Sequence, residues 1–255
     1  MNYYLLLGLI LFAYMNLWFL VSLIKKKNDV ADVAWGLGFV VLVWSSFLVT
    51  VSFNARSLLI NSLVSIWGLR LAFHIYQRNK GKEEDFRYRQ WREKWGKWFY
   101  LRSYLQVFIL QGLLLYAIAL PVLLVNKNLG AGLGWLDLAG FLIWLLGFFF
   151  EAVGDRQLSQ FVKDPSKEGM MNEGLWRYTR HPNYFGEVTQ WWGIFLIALS
   201  LPNSWFAVIG PLTITVLVVF VSGIPPVEEK MKEREGFEEY AKKTNKFFPG
   251  PVKNK

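Results

Sequence analysis

The chain has 255 residues, of which 54% are hydrophobic and 18% aromatic, and its formal net charge is +9. This composition excludes an ordinary soluble domain and indicates a membrane protein. The absence of cysteine excludes disulfides, thiolate metal sites and a cysteine nucleophile, and with only two histidines we expect no metal centre. The sequence contains neither a phosphate-binding loop nor a GxGxxG turn, so any nucleotide would bind without a Rossmann domain.

Seven apolar segments are candidates for helices that cross about 30 Å of hydrocarbon, which takes about 20 residues. They are residues 3–24, 31–53, 57–76, 103–125, 135–154, 187–201 and 204–224. The sequence therefore predicts an all-α, polytopic membrane bundle of about seven helices in a single domain, 1–255, with a tail at 225–255. Three lysines follow the first segment, the reverse of a cleavable secretion signal, so we expect this segment to remain as a helix.

Basic residues predict the orientation, because those in short loops stay on the cytoplasmic side. With the N-terminus outside, 25 of the 28 Lys and Arg residues fall on cytoplasmic segments. We therefore expect an outside N-terminus, an odd number of spans and a cytoplasmic C-terminus. Topology and attraction to anionic headgroups explain the positive charge, which gives no support for nucleic-acid binding.

Polar residues at helical spacing mark four of the apolar segments, where such residues are costly and are functional candidates. The sets are Asp29 and Asp32; Trp67, Arg70, His74 and Gln77; Glu151 and Asp155; and Arg180, Asn183, Glu187 and Gln190. Each set shares one helix face and lies towards the predicted cytoplasmic half. We expect these faces to surround a cavity that opens to the cytoplasm.

Structural explanations remain open for several of these residues. Asp29 and Asp32 are also the carboxylates that a helix dipole favours at its N-terminus. Arg70 is also suited to a structural ion pair with an acidic residue of the fifth segment, and His74 to an ordinary interior hydrogen bond.

The stretch 174–193 carries more charge than a membrane boundary requires. Arginines clamp phosphates, Asn and Glu hold amides or hydroxyls, and aromatic rings stack on flat groups. Residues of these types are Lys163, Arg177, Tyr178, Arg180, Asn183, Glu187 and Trp192. Together they indicate a large anionic cofactor without saying which one.

Several motifs resemble those of a known superfamily. GLWRYTRHPNYFGE (174–187), PPVEE (225–229) and GFEEYAKKTNKFFPG (236–250) resemble the C-terminal signature shared by steroid 5-alpha-reductases, sterol C14 reductases and isoprenylcysteine carboxyl methyltransferases. With NDVADVAWG (28–36), WGLRLAFHIYQRN (67–79) and EAVGDRQLSQF (151–161), nearly the whole chain resembles the DUF1295 membrane proteins, a bacterial-type branch related to the steroid 5-alpha-reductases. The resemblance implies a multi-pass protein of the bacterial inner membrane whose cofactor site faces the cytoplasm.

The resemblance also implies NADPH as cofactor. The positions expected to bind it are Asp155, Lys163, Tyr178, Arg180, His181, Asn183, Tyr184, Glu187, Glu229 and Tyr240. The implied reaction is reduction of a carbon-carbon double bond conjugated to a ketone in a lipophilic substrate.

In the reductases, a glutamate on the second helix and a tyrosine on the third hold the ketone. Asp32 is the best match for the glutamate and would have to be protonated, whereas Trp67 occupies the place of the tyrosine. The candidate catalytic residues are Asp32, Arg70 and His74.

Two other functions remain open. One is an S-adenosylmethionine-dependent methyltransferase, because the isoprenylcysteine methyltransferases share RHPxYxG and the EE pair. The other is a non-enzymatic protein that binds a lipid or sterol. The expected partners are the lipid bilayer and a lipophilic small molecule, without metal or nucleic acid.

Overall fold

The computed structural model describes residues 1–51, 53–128, 132–166 and 169–253. These residues form helices, turns and loops, and within them no β-strand occurs beyond one isolated bridge between Thr179 and Asn245. The chain divides into two compact units. Unit 1 comprises Met1–Leu133 and Leu201–Ser204, and unit 2 comprises Gly134–Ser200 and Trp205–Lys255.

Within the described ranges, six helical stretches are long and apolar enough to cross a membrane. They are Tyr3–Lys25, Val30–Thr50, Ala55–Asn79, Phe86–Ile118, Trp135–Lys163 and Trp205–Met231. The predicted all-α, multi-pass membrane fold is confirmed. The predicted segment 187–201 corresponds to a helix of 17 residues, Pro182–Ala198, which is shorter than the about 20 residues of a full span. The number of spans and their orientation stay predictions.

Unit 1 begins with α1 (Tyr3–Lys25), α2 (Val30–Thr50) and α3 (Ala55–Asn79). Helices α2 and α3 approach each other at Gly36 and Gly68. A Cβ atom on either glycine would lie 2.6 Å from the carbonyl oxygen of the other. Small residues permit this backbone contact, which is a common way for helices to pack in membranes.

The helical stretch that follows differs from the predicted segment 103–125. It consists of α4 (Phe86–Trp95), a 3₁₀ turn, α5 (Phe99–Arg102), a π-helical stretch (Ser103–Ile109), α6 (Leu110–Ile118) and α7 (Leu120–Lys127). It starts earlier than predicted, and its first part is anchored by the buried side chains of Tyr88, Trp95 and Phe99. The helix breaks before α7, whose first turn contains Pro121, because proline lacks the N–H that an interior helical position needs.

Unit 2 is built on α8 (Trp135–Lys163) and α9 (Pro182–Ala198). Two pairs of glycines, Gly140 with Gly193 and Gly147 with Gly186, let the two backbones touch. A Cβ atom on any of the four would lie within 2.4–2.6 Å of backbone on the other helix. The unit continues with α10 (Ile209–Val216), a π-helical stretch (Leu217–Val221), α11 (Ile224–Met231) and α12 (Phe237–Lys243).

Candidate functional site

A buried charged cluster lies at the start of α9. Arg180 donates from Nε to Oε1 of Glu228 at 2.8 Å and from Nη2 to Oε2 at 2.9 Å. Nε2 of His181 lies 2.8 Å from the same Oε1. All three residues are buried. We call them the Glu228 cluster; its paired, charge-assisted hydrogen bonds fix the guanidinium geometrically.

Arg180 also binds the end of the chain. Its Nη1 donates to the carbonyl oxygens of Ala241, at 3.1 Å, and Thr244, at 2.8 Å. Within the described residues, four of the five guanidinium N–H groups thus have protein acceptors. Arg180 is therefore placed to tie the start of α9 to the C-terminal segment, while its predicted cofactor contact stays a prediction.

Burial favours the neutral form of His181 at the start of α9. Burial lowers its pKa, and the hydrogen bond to Glu228 offsets this only in part. The neutral imidazole therefore carries its proton on Nε2 and donates it to the carboxylate. The ring of Tyr184 stacks on it with the two centroids 5.7 Å apart.

Further hydrogen bonds join the C-terminal segment to the turn before α9. Thr179 Oγ1 donates to the carbonyl of Phe247 at 2.8 Å, and the amide of Gly250 donates to the carbonyl of Tyr178 at 3.1 Å. The hydroxyl of the buried Tyr240 donates to the carbonyl of Trp176 at 2.6 Å. The predicted site residue Tyr240 thus holds the turn Gly174–Arg177 in place.

Two amide side chains on one face of α9, those of Asn183 and Gln190, carry buried oxygens. Nδ2 of Asn183 donates to Oδ1 of Asp155 on α8 at 3.0 Å, and Nε2 of Gln190 donates to Oε2 of Glu151 at 2.5 Å. The carboxylates fix both amide orientations, because a flipped amide would place two acceptors together. Among the described residues, neither Oδ1 of Asn183 nor Oε1 of Gln190 accepts a hydrogen bond. Both oxygens are thus available to an N–H or O–H donor.

A groove of about 750 Å³ lies between the turn before α9 and α12. This volume falls in the range of about 300–1,000 Å³ that is usual for small-molecule sites. Arg177, Tyr240 and Lys243 line it, together with Glu235 and Glu239. Lys243 is paired with Glu239 at 2.6 Å. The exposed guanidinium of Arg177 is in no ion pair within the described ranges, so it is the cation that an anionic ligand would meet there.

The other predicted cofactor residues of unit 2 are dispersed. Lys163 ends α8 and is exposed, Tyr178 is exposed, and Glu187 is half-buried on α9. Glu229 is exposed and pairs with Lys232 at 2.8 Å.

The two glutamates of the EE pair therefore have different environments. Glu228 shares the buried face of α11 with Ile224, whereas Glu229 lies outside the cluster. Sequence reasoning named Glu229 and missed Glu228. The four-residue spacing from Ile224 is the signal that distinguishes them.

A second cluster lies in unit 1 around Asp32, in the first turn of α2. Asp32 accepts hydrogen bonds from Nη2 of Arg87 at 2.9 Å and from the hydroxyl of Tyr88 at 2.7 Å. Asp85 accepts one from Nε of Arg87 at 3.0 Å. Asp32, Asp85, Arg87 and Tyr88 form what we call the Asp32 cluster. The guanidinium of Arg87 thus lies beside the carboxylate of Asp32, and the expected role of Asp32 in binding a ketone stays a prediction.

The Asp32 cluster contains a tyrosine, Tyr88, whereas Trp67 occupies the position on α3 at which the resemblance implies one. Trp67 is buried and packs edge-on against Phe39, with ring centroids 5.1 Å apart. Arg70 and His74 lie half-buried on α3, but the partners of Asp32 are Arg87 and Tyr88. Tyr88 is 56 residues from Asp32 along the chain, so no local spacing indicates this contact.

Comparison with known proteins gives a family. The family model described as "Protein of unknown function (DUF1295)" matches residues 18–244. An uncharacterized protein of Schizosaccharomyces pombe is 26% identical over 230 residues, which cover 77% of this chain and 64% of that protein. Mouse 3-oxo-5-alpha-steroid 4-dehydrogenase 1 is 36% identical over 72 residues, 28% of each chain.

The chain thus spans less than two thirds of the length of both relatives. No solved structure matches it. Because the family model covers most of its length, the chain belongs to the DUF1295 family of membrane proteins, which is related to the steroid 5-alpha-reductase superfamily.

Proposed function

We propose that this chain is an NADPH-dependent membrane reductase that adds hydride to a carbon-carbon double bond conjugated to a ketone in a lipophilic substrate. The observation that carries the proposal is the similarity to the mouse enzyme, whose name describes a dehydrogenase acting on a 3-oxo-5-alpha-steroid. The two clusters and the buried oxygens on α9 provide chemical groups of the kinds that this reaction requires.

The residues of unit 2 fit a reduced nicotinamide dinucleotide in chemical type. The buried oxygens of Asn183 and Gln190 would accept hydrogen bonds from the carboxamide and ribose hydroxyls. Arg177, exposed in the groove, would pair with phosphate, and Tyr178 offers an exposed ring. NADPH, when bound, supplies the hydride. Leaving two buried acceptors unpaired is costly, which favours a role for them in holding a ligand.

Unit 1, taken by itself, carries groups of the kind that would bind a substrate ketone. Reduction of a conjugated double bond moves negative charge onto the ketone oxygen, so the protein must place hydrogen-bond donors there. The Asp32 cluster joins a guanidinium and a phenol hydroxyl beside a carboxylate. We assign to this cluster the binding of the ketone oxygen.

The first test is a thermal-shift titration of the detergent-purified protein with NADPH, NADH and S-adenosylmethionine. A ligand that binds only the folded state raises its melting temperature. We expect stabilisation by NADPH, lost in Asn183→Ala and kept in Gln90→Ala, a matched change to an exposed amide side chain on α4. Stabilisation by S-adenosylmethionine alone would instead assign the chain to the methyltransferase alternative.

Turnover is then measured as NADPH oxidation with a 3-oxo-4-ene steroid and with simpler lipophilic enones. We expect the reduced product to appear in step with NADPH loss. A protein that binds a steroid or lipid but oxidises no NADPH with any of these compounds would be a binding protein, and the reductase proposal would be rejected.

A further inference from the structure

Hydrogen bonds hold one edge of the Arg87 guanidinium, formed by Nε and Nη2, and leave Nη1 at the other side. Its Nε donates to Oδ1 of Asp85 at 3.0 Å, and its Nη2 donates to Oδ2 of Asp32 at 2.9 Å. In the part of the chain that the structure describes, Nη1 makes no hydrogen bond. The side chain remains 33% exposed. Two carboxylates therefore hold one edge of the guanidinium and leave the N–H groups of Nη1 for another acceptor.

Asp85 continues to hold Arg87 at neutral pH. Burial raises the pKa of Asp85, but the hydrogen bonds and charge of Arg87 more than offset this, so that the pKa lies below its usual range. An ionised carboxylate accepts hydrogen bonds and donates none, which keeps the guanidinium in one orientation. Donors fixed in this way need little reorganisation when charge develops near them.

Tyr88 is less suited to bind an incoming oxygen. Its single O–H proton is already donated to Oδ1 of Asp32 at 2.7 Å, and the residue is buried. Asp32 and Asp85 are acceptors. Within the Asp32 cluster, Nη1 of Arg87 is thus the group with unengaged donors and a positive charge.

We propose that Nη1 of Arg87 binds the ketone oxygen of the substrate and stabilises the negative charge that forms on it. This assignment rests on the proposed reductase function and names the group that acts in it. Hydride brings two electrons to the β carbon, the double-bond electrons shift towards the carbonyl carbon, and the carbonyl π electrons move onto oxygen. The resulting enolate is then protonated at the α carbon by water. The substrate gains two hydrogens, and the hydride donor is oxidised.

The test compares a 3-oxo-4-ene steroid with the same ring system bearing a carboxylate in place of the ketone. The carboxylate reproduces the charge of the enolate oxygen, so we expect the wild-type protein to bind it more tightly than the ketone. Arg87→Gln should remove about tenfold or more of this preference and lower kcat by about 100-fold or more, as loss of an oxyanion donor does.

Arg92 provides the matched control. It also lies on α4 and pairs with a buried carboxylate, Glu84, at 3.1 Å, but its guanidinium lies over the ring of Phe99 at 4.0 Å. Arg92→Gln should lower the melting temperature without changing the carboxylate preference. Tyr88→Phe should also retain the preference, because Nη1 of Arg87 is unchanged.

Two further variants keep the test decisive if Arg87→Gln does not fold. Arg87→Lys keeps the positive charge but lacks the guanidinium geometry. Asp85→Asn keeps Arg87 but weakens the hydrogen bonds that orient it. Both variants should reduce the preference for the carboxylate steroid and lower kcat. The inference would be overturned if the active wild-type reductase bound both steroids equally. It would also be overturned if Tyr88→Phe lost the preference for the carboxylate steroid while the Arg87 and Asp85 variants all kept it. A wild-type protein with neither NADPH binding nor turnover would instead refute the proposed function itself.

Discussion

Replacing Glu228 with glutamine removes the negative charge from a buried carboxylate that holds both Arg180 and His181. The carboxylate and the guanidinium side chains are only 12% and 9% exposed, so solvent screens them little. Removing one partner of such a pair leaves an uncompensated buried charge and costs about 3 kcal/mol. For a chain of this size, that corresponds to a fall in melting temperature of about 6–12 °C.

The next residue along the chain is the control. Glu229 pairs with Lys232 on an exposed surface, where an ion pair contributes little to stability. Thermal unfolding in detergent should therefore show a large shift for Glu228→Gln and a small one for Glu229→Gln. Equal shifts for the two variants would refute the assignment of Glu228 as the buried partner of Arg180.

Three other predictions use the same thermal measurement. Gly186→Ala should destabilise the protein strongly, because the new Cβ would lie 2.4 Å from the backbone nitrogen of Glu151. The control, Gly8→Ala, should be neutral or stabilising, because its Cβ would meet nothing within 4 Å. An unchanged melting temperature for Gly186→Ala would contradict the close helix contact. Because burial lowers the pKa of His181, the unfolded chain binds more protons as the pH falls through its unfolded value of about 6.5, so stability is lost there. The melting temperature of the wild type should thus fall more steeply between pH 7 and pH 5.5 than that of His181→Gln, and parallel curves would argue against a neutral His181. Tyr240→Phe should lose about 1 kcal/mol with the hydrogen bond to the carbonyl of Trp176, and no change would show that this bond contributes nothing.

The first three helices follow closely from the sequence because each is a long apolar run bounded by charged or turn residues. The stretch 86–102 does not, since six basic residues hide its helical pattern from a hydropathy reading. Its buried face is carried by aromatic residues spaced over three turns, among them Tyr88, Trp95 and Phe99. Packing within unit 1 explains why these three aromatic side chains are buried.

The candidate sites divide in the same way. Asp155 and Asn183 were named as single positions, and their hydrogen bond joins two helices whose glycines bring the backbones together. The contact between Asp32 and Tyr88 depends on how α4 packs against α2, and helical periodicity carries no information about a partner 56 residues away. Motif similarity indicates the regions of the candidate sites, whereas the hydrogen-bond partner of each charged side chain follows only from the three-dimensional structure.

The hydrogen bonds of Arg180 affect the order in which parts of the fold can form during synthesis. A ribosome adds Glu228 48 residues after Arg180, and the carbonyl of Thr244 64 residues after it. Until then the guanidinium must stay hydrated or use other acceptors. The hydrogen bonds at the start of α9 can therefore be completed only after the residues that follow α9 have been synthesised. A chain cut short after residue 239 would keep all six stretches that are able to cross a membrane and still lack two acceptors of Arg180. Such a product is expected to insert in the membrane and to leave the start of α9 without its full set of hydrogen bonds.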